Sequence, residues 1–206
     1  MVMLSQPHFA SYNKHVRPFS KNYVQVKVTN DQIKKATKWA LEMEEAKLKE
    51  SAWKKDNASA IKRLATGVLA EMVIENYLGI EFIDWSIGVS QDYEKPDMLS
   101  AGVHIGIKCV EFNEQHDTSG LDKFPIIFKQ NTYPQIFNFY KPEHHLMYIC
   151  GIAMPEVLNQ YQADDLILAP ALRAKNVKTA FYGFEFLEPP TKIKDYLTDP
   201  RFTVKK

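Results

Sequence analysis

Two long stretches of the chain repeat apolar residues at the spacing of an α-helix. The first follows Thr29 and Gln32, which stand three residues apart as in a capping box, and it is predicted to run to about Lys49. The second covers residues 58–77 and becomes apolar nearly all round in its C-terminal half, and Gly79 is expected to end it as a C-cap glycine. The pattern therefore predicts two helices, of which the second is buried along its C-terminal half.

Shorter apolar or alternating runs predict the β-strands. The run LMYICGIAM at residues 146–154 is the most strand-like of them and is predicted to be an inner strand of a sheet. Further runs are predicted to be strands at residues 23–28, 81–89, 124–128 and 179–187. The succession of helices and strands indicates an α/β chain.

The two ends of the chain differ from its centre. Residues 1–22 interleave aromatic and basic side chains and are predicted to be an irregular arm, for which a loop packed along the surface is favoured over a nucleic-acid contact. Residues 189–206 contain three prolines and four lysines and are predicted to be a tail that wraps the outside. A length of 206 residues favours one domain, which we place at residues 23–188.

Composition and charge indicate which partners the protein can bind and in which compartment it is expected. The formal net charge is +1, so a nucleic acid would have to be bound by a local patch of positive charge. Cys109 and Cys150 both lie in apolar runs, which favours reduced core cysteines and a cytoplasmic protein. No run reaches the roughly 20 apolar residues that span a bilayer, and no membrane association is expected.

The candidate chemistry lies between residues 93 and 112. Pro96 and Asp97 precede a turn at residues 100–102, and the strand-like run that follows carries Lys108 among apolar neighbours. This pattern predicts a β-hairpin with a carboxylate on one arm and an ammonium group on the other. The alternative is that Asp97 caps a turn and Lys108 extends into solvent from an edge strand.

Two carboxylates lie in the apolar half of the second helix. Glu71 and Glu75 both project close to its apolar face, and Gly67, one turn before Glu71, is expected to let another element approach. A buried carboxylate is costly unless it is paired or binds a metal, so Glu71 is a candidate site residue, and Glu75 a weaker one. The alternative is an ion pair with a lysine or arginine at the rim of the core.

Three short motifs occur in an order that resembles the PD-(D/E)XK nuclease superfamily, which has the restriction-endonuclease-like fold. They are GVLAE at residues 67–71, PD at residues 96–97 and VHIGIK at residues 103–108. The resemblance covers roughly residues 30–188 and implies a central mixed β-sheet flanked by helices. It also implies a Mg²⁺-dependent or Mn²⁺-dependent hydrolase that cleaves the phosphodiester bonds of DNA, as an endonuclease.

The chain departs from the family pattern at Gly106, where an acid normally stands two residues before the lysine. Some members of the superfamily supply this carboxylate from the first helix of the family fold. The second predicted helix of this chain resembles that family helix, and its Glu71 is the candidate for that role here. Glu111 is a poorer candidate, because a residue three positions from Lys108 faces the opposite side of a regular strand. Glu75, one helical turn from Glu71, is a candidate for an outer ligand.

The resemblance assigns roles to residues of this chain. Asp97, Lys108 and Glu71 would be catalytic, with Lys108 orienting water or stabilising negative charge. The metal would be held by Asp97, Glu71 and the backbone carbonyl of Ile107, with Glu111 as the weakest candidate. The side chains expected to contact DNA are Lys54, Lys55, Arg63, Lys129 and Gln130.

Two other readings stay open. Gly106 favours a catalytically inactive nuclease-fold protein that binds nucleic acid or a protein partner. The other is an unrelated α/β binding module in which the lysine and the acids are surface groups. The resemblance also allows a homodimer, by analogy with endonucleases of the same fold.

Overall fold

The structure, a computed structural model, describes residues 21–49, 57–87, 95–111, 125–127, 132–158, 179–181 and 187–204. The helices in these ranges are α1 (Asn30–Lys49), α2 (Asn57–Leu78), α3 (Pro155–Leu158) and α4 (Ile193–Tyr196). The strands in these ranges are β1 (Val24–Lys27), β2 (Gly106–Glu111), β3 (Pro125–Ile127), β4 (Gln135–Lys141), β5 (Leu146–Ala153) and β6 (Thr179–Phe181). Short 3-10 turns occupy Leu99–Ala101, Pro142–His144 and Pro190–Lys192.

A four-stranded sheet forms the centre of the described fold, in the order β1-β5-β4-β2. Strands β1 and β4 both run antiparallel to β5, whereas β2 runs parallel to β4. Strands β3 and β6 form a separate antiparallel pair. The sheet is therefore mixed, and together with the two long helices it confirms the predicted α/β class. Within the described residues β2 is an edge strand, paired with β4 alone.

The two long helices begin and end where their sequences predict. Thr29 and Gln32 form the capping box at the start of α1, with reciprocal backbone-to-side-chain hydrogen bonds of 2.9 and 3.2 Å. After α2, Gly79 adopts a positive φ of 72° and donates its N–H to the carbonyl of Glu75 at 2.8 Å. Neither helix is long and apolar enough over its described residues to cross a membrane.

The core lies between α2 and one face of the sheet. The strand register aligns Ile107, Ile136 and Ile152 side by side on β2, β4 and β5. All three belong to the same buried cluster as Val73 and Ile74 of α2. Burial of these side chains against one another provides the main apolar contact between the helical layer and the sheet.

Strand β4 was not predicted, although it lies between β2 and β5. Its side chains are buried on both faces, so its residues do not alternate between apolar and polar. Gln135 and Asn138 are polar and fully buried, which further disguises the strand in the sequence. A strand that is buried on both faces gives no period-2 signal, and this explains the omission.

The predicted strand at residues 81–89 is wrong within its described part, because residues 80–87 form irregular backbone. One carboxylate oxygen of Glu75 accepts the N–H groups of Phe82 and Ile83, at 2.7 and 2.8 Å. The side chain of a helical residue thus satisfies backbone groups that a neighbouring strand would otherwise have paired. The alternation of apolar residues here reflects one-sided burial without a sheet.

The C-terminal segment packs into the fold instead of wrapping its outside. Ile193 is fully buried and Phe202 is 5% exposed, and both belong to the core cluster that contains α2. His104 donates its N–H to the carbonyl of Phe202 at 2.7 Å, and Val103 pairs with Thr203 in an antiparallel bridge. This segment therefore supports the backbone immediately before β2.

Candidate active site

A tight reversal of the chain places Asp97 beside β2. The 3-10 turn at Leu99–Ala101 ends at Gly102, which has a φ of +79°. Met98 donates its N–H to the carbonyl of Ile105 at 3.1 Å, so the residues around Asp97 lie next to the start of β2. The predicted hairpin is present as a reversal, but its first arm is not a strand.

Asp97 lies at the edge of β2 that no described strand pairs. One of its carboxylate oxygens accepts the N–H of Ile107 in a short hydrogen bond. Gly106 donates its N–H in the other direction, to the carbonyl of Pro134 at 2.9 Å. Because the N–H and C=O groups of one strand residue point to the same edge, the carbonyl of Ile107 also points towards the edge that Asp97 occupies. This is the carbonyl that the resemblance nominates as a ligand.

Glu71 is a partly buried residue of α2, and the carboxylate of Asp97 lies near enough to affect its charge. Burial raises the pKa of Glu71 to about 8, and the nearby carboxylates of Asp97 and Glu75 add to the increase, whereas Lys108 opposes it. Burial also raises the pKa of Asp97, against the effects of Lys108 and of the Ile107 N–H group. The fold therefore brings together Glu71, Asp97 and Lys108, which lie on three separate elements of the sequence.

Lys108 has an exposed side chain on β2. Its positive charge favours the ionised form of both Glu71 and Asp97. Its backbone is held in the sheet, where the carbonyl of Lys108 accepts a hydrogen bond of 3.2 Å from the side-chain amide of Asn138. An ammonium group on a fixed backbone next to two carboxylates is suited to contact a bound anion, such as a phosphate group.

The two remaining acids of the sequence analysis have other partners. The carboxylate of Glu75 binds the backbone that follows α2, as described above, so its first role is to hold that segment. Glu111 forms an ion pair with Lys62 of α2 at 2.9 Å. Glu111 is also not among the groups that shift the pKa of Glu71 or Asp97. These contacts favour Glu71 over Glu111 as the partner of Asp97.

Gly106 is covered by a side chain that the sequence analysis did not single out. A Cβ atom built on Gly106 would overlap the side-chain oxygen of Gln135 and would lie 2.6 Å from its Nε2 and 2.8 Å from its Cδ. Gln135 belongs to β4 and is paired in register with Gly106. The amide of Gln135 thus fills the space where an acidic side chain at position 106 would begin. No sequence motif indicates this contact, because it depends on the register of a strand that was not predicted.

The predicted DNA contacts fall mostly outside the described ranges. Lys54, Lys55, Lys129 and Gln130 are not among the described residues. Arg63 is exposed on α2, in its N-terminal half. The exposed cation that the described residues place beside the two acids is Lys108.

The acids present fit a magnesium site in which two carboxylates provide the negative charge. No group of three or more His, Cys, Asp or Glu side chains suitable for a metal lies among the described residues. Two carboxylates interact here, because the charge of Asp97 raises the pKa of Glu71. Mg²⁺ commonly takes one or two protein carboxylates and completes its shell with water and substrate phosphates. Two partly buried carboxylates whose pKa values are both raised form a pair that a divalent cation would stabilise.

Comparisons with protein-family models, with curated proteins and with solved structures found no match to this chain.

Proposed function

We propose that this protein is a metal-dependent nuclease of the PD-(D/E)XK type that hydrolyses phosphodiester bonds of DNA as an endonuclease. The observation that carries the proposal is that Asp97 binds the edge of β2 that no described strand pairs, and that the charges of Glu71 and Lys108 both act at this place. These are the residues that the motif order nominates, and they come from a helix, a turn and a strand. Two acids and an amine at one sheet edge match the needs of phosphodiester hydrolysis.

Each residue has a role that follows from its chemistry. Asp97 and Glu71 would hold a divalent cation, and the carbonyl of Ile107 at the same edge would be a third oxygen ligand. When bound, Mg²⁺ or Mn²⁺ supplies neutralisation of phosphate charge and a water of lowered pKa. Lys108 would contact the scissile phosphate or its attacking water and stabilise the negative charge that grows during the reaction.

The first test is cleavage of supercoiled plasmid and of single-stranded DNA in the presence of Mg²⁺ or Mn²⁺. Asp97→Asn keeps an oxygen that can accept the Ile107 N–H but removes the charge, and Lys108→Ala removes the exposed amine. Each substitution is expected to lower the cleavage rate by about 100-fold or more, as loss of one charge-stabilising group does. Nicking of closed circular DNA would identify an endonuclease.

Matched controls come from exposed residues that do not shift the pKa of Glu71 or Asp97. Asp195→Asn removes an acid whose side chain is 62% exposed in an ion pair with Lys192, and Lys38→Ala removes an exposed amine of α1. Both controls are expected to cleave like the wild type. Cleavage by Asp97→Asn at the wild-type rate would contradict the proposed role of the site.

The second candidate is a nuclease-fold protein that binds nucleic acid or a protein partner without cleaving. Gly106 favours this alternative, since the site has one acid fewer than the family pattern on β2. It predicts that the wild type binds labelled DNA in fluorescence anisotropy, or a protein partner, and cuts no substrate with either metal ion. Metal-dependent cleavage that Asp97→Asn abolishes would exclude this alternative.

A further inference from the structure

The constraint on position 106 comes from the neighbouring Gln135 side chain and not from backbone conformation. Gly106 is not among the described glycines with positive φ, which are Gly79, Gly102 and Gly151. With Gln135 in its present conformation, the Cβ atom of any other residue at position 106 would lie within the Gln135 amide, so the end of that side chain would have to move. Gly106 and Gln135 therefore form a matched pair, in which the absence of one side chain makes room for the other.

The amide of Gln135 is buried without a partner. The residue is 1% exposed, and neither its side-chain oxygen nor its side-chain nitrogen has a hydrogen bond to any described residue. Nearly all buried polar groups in folded proteins are paired, so an unpaired amide needs an explanation such as a bound ion or water. The amide lies directly beside Gly106.

The amide lies on the side of the sheet that an acid at position 106 would use. Residues 106 and 108 share one face of β2, because side chains alternate along a strand. Gln135 lies beside Gly106 in a parallel register, so its side chain leaves the sheet on the face of Lys108. The opposite face carries Ile107 and Ile136 and packs against α2, so Gln135 and Glu71 approach the edge of β2 from different faces of the sheet. Gln135 thus presents an oxygen from the neighbouring strand where the family pattern has a carboxylate.

We propose that Gln135 replaces the missing acid, with its amide oxygen as a neutral ligand for the divalent cation held by Asp97 and Glu71, and that Gly106 is the space this replacement needs. The inference rests on the proposed function, because it assumes that a cation binds at these two acids. An amide oxygen is a hard ligand but carries no charge, so the site would bind the cation more weakly than a site with an acid at that place.

The test measures Mn²⁺ binding by titration calorimetry without DNA. Gln135→Met keeps the length of the side chain and removes its oxygen, so it is expected to weaken Mn²⁺ binding by about tenfold or more. Gln135→Glu adds a negative charge at the same place and is expected to tighten binding by a similar factor. Phe137→Leu alters a buried neighbour on the same face of β4 that has no ligand atom, and it is expected to leave Mn²⁺ affinity unchanged.

Stability separates a ligand from a structural residue. Replacement of an unpaired buried amide by an apolar side chain of similar length removes an unsatisfied group, so Gln135→Met is expected to unfold at the same temperature as the wild type or higher. Lower metal affinity with unchanged or higher stability is the signature of a ligand. A Gln135→Met protein that is less stable and binds Mn²⁺ normally would overturn the inference.

A paired substitution tests the matched space directly. Gly106→Asp alone would force the new side chain into Gln135 and is expected to lower the unfolding temperature. Gly106→Asp combined with Gln135→Ala provides the space and the acid together, and it is expected to regain stability and to bind Mn²⁺ at least as tightly as the wild type.

If the wild type binds Mn²⁺ and all Gln135 variants bind it equally, this inference fails while the proposed function stands. If the wild type binds no Mn²⁺, both fail.

Discussion

In the candidate site, the carboxyl of Glu71 has a strongly raised pKa. Burial, Asp97 and Glu75 all disfavour its charge, and its pKa of about 8 means that it is largely protonated at neutral pH in the metal-free protein. A cation bound there would displace the proton, so metal affinity should increase with pH.

The stability of the metal-free protein is expected to decrease as the pH rises from about 4.5 to about 8. Between the ordinary pKa of 4.5 and the folded value of about 8, the folded state holds a proton that the unfolded state has lost, so unfolding is favoured by each step of increasing pH. The raised pKa of Asp97 acts in the same direction. Glu71→Gln should remove much of this dependence, as measured by urea denaturation in EDTA at about pH 5 and about pH 8.

An exposed acid provides the control for this measurement. Glu81 is exposed and is not among the groups that shift the pKa of Glu71, so Glu81→Gln should keep the wild-type dependence on pH. Addition of Mn²⁺ near pH 8 should stabilise the wild type more than Glu71→Gln, because a ligand that binds only the folded state raises its stability. Equal dependence on pH in wild type and Glu71→Gln would refute the assignment of a strained carboxyl at this position.

Single residues also show what the sequence can reveal about the site. Asp97, Lys108 and Glu71 could be nominated because short motifs carry them in a recognisable order, and in the described fold the charges of Asp97 and Lys108 act on Glu71. Gln135 could not be nominated from the sequence, because its contact with Gly106 depends on the register of two neighbouring strands. Contacts between neighbouring strands require the sheet order, which no local pattern provides.

Among the elements, the helices were the most predictable. The capping box at Thr29 and the glycine at position 79 are local signals, and the structure uses both. Strand β4 and the irregular segment at residues 80–87 were not predictable, because their conformations are decided by partners distant in sequence. In the latter segment the deciding partner is the Glu75 carboxylate, which takes the place of a neighbouring strand. Local patterns therefore give the elements that satisfy their own backbone, and fail for those that depend on others.

Strand β5 meets the C-terminal segment where a glycine allows close approach. A Cβ atom on Gly151 would overlap the carbonyl oxygen of Glu188 and lie 3.0 Å from the Cβ of Leu187, and its φ is +147°. Ile152 and Glu188 exchange backbone hydrogen bonds of 3.0 and 2.9 Å at this point. Gly151→Ala is therefore expected to lower the free energy of unfolding by about 1–3 kcal/mol, as measured by urea denaturation.

Gly67→Ala is the matched control for this substitution. Gly67 lies inside α2, and a Cβ atom there would meet no described atom within 4 Å, so the expected close approach of another element is not seen. Alanine is the better helix former, so Gly67→Ala is expected to raise the free energy of unfolding by up to about 1 kcal/mol. Loss of stability in Gly67→Ala with none in Gly151→Ala would contradict the contact between β5 and the C-terminal segment.

The predicted domain boundary at residue 188 cuts through the core of the described fold. Prolines and lysines gave residues 189–206 the composition of an exposed tail, whereas burial of Ile193 and Phe202 depends on where the segment docks. Its backbone pairs with residues 103 and 104, just before the strand that carries Lys108. The segment thus connects the stability of the core with the position of the candidate site.

Removal of one buried side chain from this segment should therefore lower the free energy of unfolding. Ile193→Ala deletes buried atoms and leaves a cavity in the core cluster, at an expected cost of about 2–5 kcal/mol in the free energy of unfolding. Val204→Ala, at a side chain that is 38% exposed, should change the free energy by less than about 0.5 kcal/mol.

Deletion of residues 189–206 removes Ile193 and Phe202 together and should prevent cooperative thermal unfolding, as measured by circular dichroism. A truncated chain that unfolds like the wild type would mean that residues 189–206 are not part of the core that supports β2.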